Sequence, residues 1–391
     1  MEALYSKLDA VYDEIVEIRR HLHQNPELSF EEVETPKYIA AFHEKLGHKV
    51  RTNVGGNGVV AYLEGAHDGP TVALRADFDA LPIHEETNLE FQSVNPGVMH
   101  ACGHDGHTAT LLGLAKVLNQ MQDELKGNVV FIHQHAEELP PGGAKPMIDD
   151  GCLEGVDVIF GTHLQSQTPL GELNYAKKEL QASSDAFEIT VKGRGGHGAA
   201  PHNTKDSILI ASQLVVNLQQ IVSRRIDPLD PAVISVCSFD AKGPYNVIQD
   251  TAEIKGTVRA LSEEVRTQIE EEIEQVVKGT VMLSGADYDY DFQRGYPVTI
   301  NHEEQVEFAM DCAKDVPGVN EIKEVSPIMG GEDYSYYLQK VKGAYFFTGA
   351  QPEGVDDPYP HHHPKFDIDE KALLTAAKVL GKTTLEYMEQ N

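Results

Sequence analysis

The chain has 391 residues, of which 41% are hydrophobic and 24% are charged, a composition typical of folded globular proteins and a length sufficient for two domains. Its 62 acidic residues against 32 Lys and Arg give a formal net charge of −30, which excludes nucleic acid as an expected partner because a polyanion needs a positive surface. Four cysteines are too few for a disulfide framework, and no apolar run approaches the roughly 20 residues of a membrane span. We therefore expect a cytoplasmic protein with no membrane partner.

Apolar periodicity predicts helices alternating with strands in the first half of the chain. A stripe from Leu4 to Leu22 predicts one amphipathic helix that stops at Asn25-Pro26, and a second helix is expected from about Thr108 to Leu125. Short apolar runs predict strands at residues 58–63, 71–74, 128–132 and 156–160. This alternation favours an α/β fold with a mostly parallel sheet covered by helices.

From about Ser184 the pattern changes. Strands are expected at residues 186–192, 232–239, 251–260 and 287–292, and helices at 207–224 and 262–283. The β-α-β-β-α-β order is typical of a ferredoxin-like module. If His362 near the end of the chain joins the polar clusters of the first half, residues 1–183 and 295–391 form one catalytic metal-binding domain. Residues 184–294 are then an inserted α+β domain.

The segment from Met99 to Thr108 holds one cysteine, one aspartate and three histidines in ten residues. Thiolate and imidazole bind borderline divalent metals, so this density predicts a metal site. Cys102 and His104 lie two residues apart with a glycine between them. A buried free cysteine beside a helix start is the alternative interpretation, and the neighbouring histidines make it the weaker one.

Further polar clusters follow the predicted strands. Residues 75–79 follow the strand ending at Leu74, residues 133–138 follow the next strand, and His163 follows a third. Open α/β sheets place their ligand sites at this edge, so we expect these groups to meet there. Asp77 is interpreted as a residue that orients a ligand or, alternatively, as a helix or turn cap, and His163 is either a ligand or a core histidine.

The pair Glu137-Glu138 suggests a division of labour. One carboxylate can bind metal while its neighbour takes a proton from metal-bound water, which is what metal-assisted hydrolysis requires. Most Glu-Glu pairs are solvated surface residues, but this one follows an apolar strand and lies beside His133 and His135.

Six motifs together carry a resemblance to a known family. They are Arg75-Ala-Asp-Phe-Asp-Ala-Leu-Pro82, Met99-His-Ala-Cys-Gly-His-Asp-Gly-His107, Ala136-Glu-Glu138, Gly193-Arg-Gly-Gly-His197, Gly331-Glu-Asp-Tyr-Ser335 and His362-His-Pro364. In this order they resemble the metal-dependent amidohydrolases of peptidase family twenty. The match is closest to the branch of hippurate hydrolases, N-acyl-amino-acid amidohydrolases and auxin-conjugate hydrolases.

The resemblance implies a dinuclear site for two divalent ions (zinc, manganese, cobalt or nickel) and a homodimer whose insertion serves as lid and dimerisation domain. The metal ligands would be Cys102, His104, Glu138, His163 and His362. Glu137 would be the general base, Asp77 would orient a ligand, His197 would steady the oxyanion in the partner subunit's active site, and Asn246 would contact the substrate.

Two positions depart from the family pattern. Arg75 stands where other branches have a histidine, and it cannot bind metal. His135 stands where this branch usually has proline, so its role stays open. The expected function is hydrolysis of the amide bond of an N-acyl amino acid or a related small conjugate. A dipeptidase or aminopeptidase of the same family, and a non-catalytic metal-binding dimer, are the alternatives.

Overall fold

The computed structural model describes residues 1–391, and the chain forms two compact units. Unit 1 comprises Met1–Leu180, Ile300–Ser326 and Asp333–Asn391, and unit 2 comprises Gln181–Thr299 and Pro327–Glu332. The insertion expected at residues 184–294 lies inside unit 2, and its roles as lid and dimerisation domain stay predictions. None of the helices combines the length and apolar character needed to cross a bilayer.

The chain contains ten α-helices, sixteen strands and two short 3₁₀ turns. The helices are α1 Glu2–Ala10, α2 Tyr12–Gln24, α3 Glu34–Leu46, α4 His104–Asn119, α5 Ala144–Asp149, α6 Ser207–Arg224, α7 Glu263–Leu283, α8 Glu303–Ala313, α9 Ser335–Leu338 and α10 Lys371–Gln390. The strands are β1 Lys49–Val54, β2 Gly58–Glu64, β3 His67–Asp77, β4 Lys126–Gln134, β5 Val158–Gln165, β6 Glu172–Tyr175, β7 Glu179–Gln181, β8 Ser184–Lys192, β9 Gly196–His197, β10 Ala232–Asp240, β11 Val247–Ile248, β12 Thr251–Ala260, β13 Asp287–Tyr296, β14 Thr299–Ile300, β15 Glu321–Glu324 and β16 Lys342–Gly349.

An eight-stranded sheet forms the centre of unit 1, in the order β1-β2-β4-β3-β5-β16-β6-β15. The neighbours β4, β3, β5 and β16 are mutually parallel and β15 is parallel to β6, whereas the pairs β1-β2, β2-β4 and β16-β6 are antiparallel. Helices α2, α4 and α10 pack on one another, and α4 and α10 contact β3. The predicted α/β fold with a mostly parallel sheet is confirmed.

Burial explains why the central elements form where they do. Strand β3 is buried from Thr71 to Asp77, as expected for a parallel strand covered on both faces. Helix α4 is buried along most of its length and begins after Gly103, whose φ of 87° lies in the left-handed region that favours glycine. This glycine lets the backbone turn sharply between Cys102 and His104.

Three predicted helix boundaries were wrong. The single helix expected over Leu4–Leu22 is divided into α1 and α2 at Val11, where φ is −105° and ψ is 6°, although the predicted apolar stripe is buried in both halves. Helix α4 begins four residues before the expected Thr108 and ends at Asn119, six residues before the expected Leu125. Its first turn is polar and shows no apolar period because its side chains belong to the candidate site.

Unit 2 contains the elements β8, α6, β10, β12, α7 and β13 in the predicted β-α-β-β-α-β order. Its four strands form an antiparallel sheet in the order β10-β12-β8-β13. Both helices have side-chain caps: Asp206 accepts from the N–H groups of Ile208 and Leu209, and Ser262 accepts from that of Val265. The apolar faces of the two helices and the sheet share one core.

Candidate metal centre

The candidate ligands of unit 1 lie where parallel strands end. Strand β3 ends at Asp77, and β4 leads into Glu137 and Glu138. His163 lies near the end of β5, and α4 begins at His104. Strands β4, β3 and β5 are parallel neighbours, so their carboxyl ends meet at one edge of the sheet. This is the edge where open α/β sheets bind ligands.

The first group of candidate ligands consists of Cys102 and the two histidines that contact it. Its Sγ lies 3.5 Å from Nε2 of His163 and 3.6 Å from Nδ1 of His361. The Nδ1 atom of His163 lies 2.8 Å from the backbone oxygen of Leu164, to which it donates, so Nε2 is the nitrogen free to bind a ligand. Metal-binding histidines are held in the same way, with the second ring nitrogen bonded to a carbonyl or carboxylate.

His104 and Glu138 form the second group with Cys102. The Nδ1 atom of His104 lies 3.0 Å from the backbone oxygen of Asp79 and 3.1 Å from its Oδ1, which fixes the ring. Its Nε2 lies 3.7 Å from Oε1 of Glu138, and neither buried atom has a hydrogen-bond partner. The ligand atoms of Cys102, His104 and Glu138 all lie within 4.8 Å of one another.

Unpartnered buried polar atoms are rare in folded proteins and require an explanation. Here the unpartnered atoms are an imidazole nitrogen and a carboxylate oxygen, and they lie within 4.8 Å of each other and of the Cys102 thiol. That donor set suits zinc and other borderline divalent metals. The residues present therefore fit a metal site.

The charges at this edge also favour a cation. Burial and the nearby carboxylates of Glu138 and Glu137 raise the pKa of Cys102 well above its ordinary value. Burial lowers the pKa of His104, but the carboxylates of Asp77, Asp79 and Glu138 outweigh it and raise that pKa to about 10. Both groups thus hold their protons strongly, and a divalent cation would supply the positive charge in place of those protons.

Two neighbouring histidines approach the site from the last part of unit 1. His362, a predicted ligand, has its Nε2 3.3 Å from Oε2 of Glu138, and its side chain is 53% exposed. His361 packs its ring against His163, with 5.2 Å between centroids, and its buried Nε2 has no hydrogen-bond partner. Of this run of three histidines, only His362 was assigned as a ligand from the sequence, and the position of His361 was not foreseen.

Asp77 holds its surroundings through two short contacts. Its Oδ1 lies 2.6 Å from Nδ1 of His107, and its Oδ2 accepts from the Arg75 guanidinium at 2.6 Å. His107 also accepts the backbone N–H of Leu164 at 2.9 Å, so both of its ring nitrogens are engaged. Its ring packs on His163 with 4.5 Å between centroids. His107 thus connects Asp77 with His163, and the role of Asp77 in orienting a ligand stays a prediction.

Glu137 and His135 have different surroundings. Glu137 is buried, and its Oε2 lies 3.9 Å from Nε2 of His104, close to the candidate ligand atoms. His135 packs its ring against Phe30 with 5.9 Å between centroids. Burial lowers the pKa of His135 to about 4, so it is a neutral packing residue at neutral pH.

Unit 2 brings the other two predicted site residues together. The short strands β9 and β11 are antiparallel, with His197 opposite Val247. The N–H of Gly198 donates to the backbone oxygen of Asn246 at 2.8 Å. His197 and Asn246 are both exposed, and their roles toward substrate stay predictions.

Residues 73–386 match the family described as Peptidase family M20/M25/M40. The chain belongs to this family. Over 381 residues it is 57% identical to a Bacillus subtilis (strain 168) protein named as an amidohydrolase, YhaA, covering 97% of this chain and 96% of that relative. It is 46% identical over 303 residues to the N-acyl-L-amino acid amidohydrolase of Geobacillus stearothermophilus, covering 78% of this chain and 82% of that enzyme.

A solved structure gives the same result. The Bacillus subtilis YXEP protein, described as a dinuclear metal-binding peptidase of the M20 family, matches with a TM-score of 0.85 at 36% identity, covering 98% of this chain and 99% of that one. The predicted family resemblance is confirmed. This M20 protein is therefore a metal-dependent hydrolase of amide bonds.

Proposed function

We propose that the protein cleaves the amide bond of N-acyl amino acids or related small conjugates. The observation that carries the proposal is the convergence of Cys102, His104, Glu138 and His163 beside the carboxylate of Glu137. The Geobacillus relative, named for this substrate class, supports the choice of substrate.

The metal ions would be held by Cys102, His104, Glu138, His163 and His362. Bound there, two divalent ions would polarise the scissile carbonyl and lower the pKa of water. Their identity is proposed to be zinc, manganese, cobalt or nickel, the borderline metals that mixed thiolate, imidazole and carboxylate ligands accept.

Glu137 would accept and later donate the proton that the hydrolysis transfers. Its carboxylate is buried and lies near the ligand atoms without being needed as one of them. We assign it the role of general base toward the attacking water, after which it would return the proton to the leaving amine.

Unit 2 is proposed to serve as lid and dimerisation domain, with the protein acting as a homodimer. Helix α6 exposes Leu209 and Val216, which are 67% and 65% accessible, and exposed apolar side chains on one helix support a contact with a second copy. His197 would stabilise the oxyanion in the partner subunit, and Asn246 would contact the substrate. Their adjacency in unit 2 supports a shared role.

We further propose that the protein works in the cytoplasm. All four cysteines are free, and burial raises the pKa of Cys152 and of Cys312 to about 12. Free thiols persist in reducing compartments, which supports this location.

The experiment is a substrate panel on the purified, metal-analysed protein. N-acetyl, N-benzoyl and longer acyl amino acids would be compared with dipeptides of the same amino acids that carry a free amine. We expect turnover of the blocked substrates, loss on chelation and recovery on adding metal back. Glu137→Gln should keep its metal and lose about a hundredfold to ten-thousandfold in turnover, as loss of a general base does.

Each other outcome points to an alternative. Turnover restricted to substrates with a free amine would identify a dipeptidase or aminopeptidase instead. No turnover of any panel member by the fully metal-loaded protein would overturn the proposed substrate class.

A further inference from the structure

The turn that carries Glu137 and Glu138 contains a backbone conformation that its residue disfavours. Ala136 immediately precedes the pair and has a φ of 51°, in the left-handed region. A non-glycine residue adopts this conformation at a cost and keeps it only where the surroundings enforce it. Ala136 is also fully buried. The position of the proposed base therefore depends on whatever holds this residue.

A distant carboxylate holds it. Oε1 of Glu32 accepts the backbone N–H of Ala136 at 2.9 Å, across 104 residues of sequence, and its Oε2 accepts from the side-chain amide of Asn57 at 2.9 Å. Glu32 is only 2% exposed. An acceptor fixed at this point favours the one backbone conformation in which the Ala136 N–H faces it.

The loop that carries Glu32 is itself fixed. The carboxylate of Glu27 accepts the N–H groups of Val33, Glu34 and Thr35 at distances of 2.8–3.0 Å, which closes the chain before α3. The far end of the turn is held as well, since Asp79 accepts the N–H of Glu138 at 3.0 Å. Two buried carboxylates therefore bracket the proposed base.

The buried carboxylate of Glu32 lowers the stability of the folded protein. Burial raises its pKa to about 7, although the amide of Asn57 and two backbone N–H groups act in the opposite direction. Its ionised form is thus disfavoured in the folded protein, and a neutral side chain there would be more stable above pH 7. A residue that costs stability is more readily explained by function than by packing.

We propose that Glu32 is a positioning residue for the hydrolysis, holding Ala136 in its left-handed conformation so that Glu137 stays at the distance proton transfer requires. The inference rests on the proposed function, because it takes Glu137 as the base. It goes beyond it by giving a role to a residue on a different segment of the chain.

The first test compares Glu32→Ala with Glu31→Ala, its exposed neighbour, in metal-saturated protein on the best acyl substrate. Misplacing a reacting group by about 1 Å costs about a hundredfold, so kcat of Glu32→Ala should fall at least about tenfold with little change in KM. Glu31→Ala should match the parent. Should Glu32→Ala fail to fold, Glu32→Met keeps the volume, accepts hydrogen bonds only weakly and serves in its place.

The conservative variant separates positioning from packing. Glu32→Gln keeps an oxygen that can accept the Ala136 N–H, so its kcat should stay within about threefold of the parent. Because it cannot ionise, its Tm at pH 8 should exceed that of the parent, with the difference vanishing near pH 4.5. A drop in Tm without a drop in kcat for Glu32→Ala would mean that Glu32 only stabilises the fold.

Coupling gives the sharpest readout. Glycine adopts the left-handed conformation without cost, so the kcat loss caused by Glu32→Ala should be smaller in an Ala136→Gly background. In a Glu137→Gln background, Glu32→Ala should cause little further loss, since it acts through the residue already removed. If Glu32→Ala lowers kcat by the same factor in both backgrounds as in the parent, the inference is overturned.

The two proposals can fail separately. Absence of turnover of acyl amino acids by the metal-loaded parent would overturn the proposed function, and normal activity of Glu137→Gln would overturn the assignment of Glu137 as the base. An inactive Glu137→Gln together with an unchanged kcat for Glu32→Ala would overturn only the role of Glu32.

Discussion

Two adjacent imidazoles at the end of unit 1 face different atoms of the candidate site. His362 approaches Glu138, and His361 approaches Cys102. The run continues with His363, which stacks on Tyr359 at 4.4 Å between centroids. Three consecutive histidines therefore have three different environments, and single substitutions can assign them.

We expect His362→Ala to lose most of one metal ion per chain, because its Nε2 is within reach of the same ion as Glu138. His361→Ala should keep both ions with an affinity lowered by about tenfold to a hundredfold, the usual effect of removing a group next to a ligand. His363→Ala is the control and should bind as much metal as the parent does. Metal content after dialysis measures all three. Loss of an ion from His361→Ala but not from His362→Ala would move the assignment to His361.

Residue types and spacing could predict which candidate ligands gather at one edge of the sheet, but not the contacts that support them. Cys102, His104 and Glu138 were identifiable as candidates because each lies in a dense polar motif at a strand or helix end, whereas His163 is a lone histidine that only the family resemblance assigned as a ligand. The contact between His107 and Leu164 and that between Glu32 and Ala136 join distant parts of the chain. Neither contact leaves a pattern in the local sequence. Glu32, for example, lies among other acidic residues and is not distinguished from them by its neighbours.

At the scale of elements, the packing of α2 on α4 depends on one glycine. A Cβ atom added at Gly113 would lie 2.3 Å from Cγ1 of Ile15 on α2. Since Ile15 is fully buried, its side chain has little room to move. Close approach of the two helices therefore requires the absence of a side chain at this position.

Gly113→Ala should destabilise unit 1 by about 1–3 kcal/mol, the usual cost of overpacking a core. The matched control is Gly279→Ala in α7, where an added Cβ meets nothing within 4 Å. Because alanine is the better helix former, the free energy of unfolding of the control should rise by about 0.5–1 kcal/mol. Thermal and urea unfolding measure both. A neutral Gly113→Ala would show that the helices can separate at little cost.

A chain of three buried histidines links two elements of unit 1. His43 of α3 lies 2.9 Å from His133 of β4 and, through its other nitrogen, 2.9 Å from His48. His48 in turn lies 3.2 Å from Oδ1 of Asn119. Burial lowers the pKa of all three, that of His133 to about 3.

These histidines should make unit 1 acid-sensitive. Because their folded-state pKa values lie below the unfolded value of 6.5, their stability contribution is complete above about pH 6.5 and is lost as pH falls toward 3. Each can contribute up to about 1.4 kcal/mol per pH unit in that range. His133→Leu should therefore flatten the pH dependence of unfolding between pH 6 and 4. His67→Leu, at an exposed position, should leave the slope unchanged.

Periodicity predicted the central elements better than the peripheral ones. Strands β3, β4 and β5 each contain a short apolar run, and α6 matches its predicted bounds. Strand β1 was missed because it is largely exposed and polar. The place of β16 between β5 and β6 was also beyond prediction, since sheet order depends on long-range pairing rather than on local pattern.

At the scale of the whole molecule, the proposed homodimer can be tested by complementation. If His197 acts in the partner subunit while Glu137 acts in its own, mixed dimers of Glu137→Gln and His197→Ala contain one site with both residues intact. Mixing the two inactive proteins under subunit exchange should restore up to about half of the parental activity per mixed dimer. An oxyanion donor is worth about 3–4 kcal/mol, enough to silence a site without it.

The control mixes each inactive variant with itself and should give no recovery. Differently tagged subunits would show that mixed dimers have formed. Persistent inactivity of confirmed mixed dimers would place His197 in its own chain or in a purely structural role.

The three-part construction of unit 1 has a consequence for how the enzyme is made. Cys102, His104, Glu138 and His163 are all synthesised within its first segment, whereas His361, His362 and β16 belong to its last. Until β16 leaves the ribosome, β5 and β6 lack the strand that separates them, and the nascent sheet presents two unpaired edges. Unit 2 emerges in the meantime with a complete core of its own. We therefore expect the candidate site to be complete only after the last segment of unit 1 has been synthesised and β16 has paired with β5 and β6.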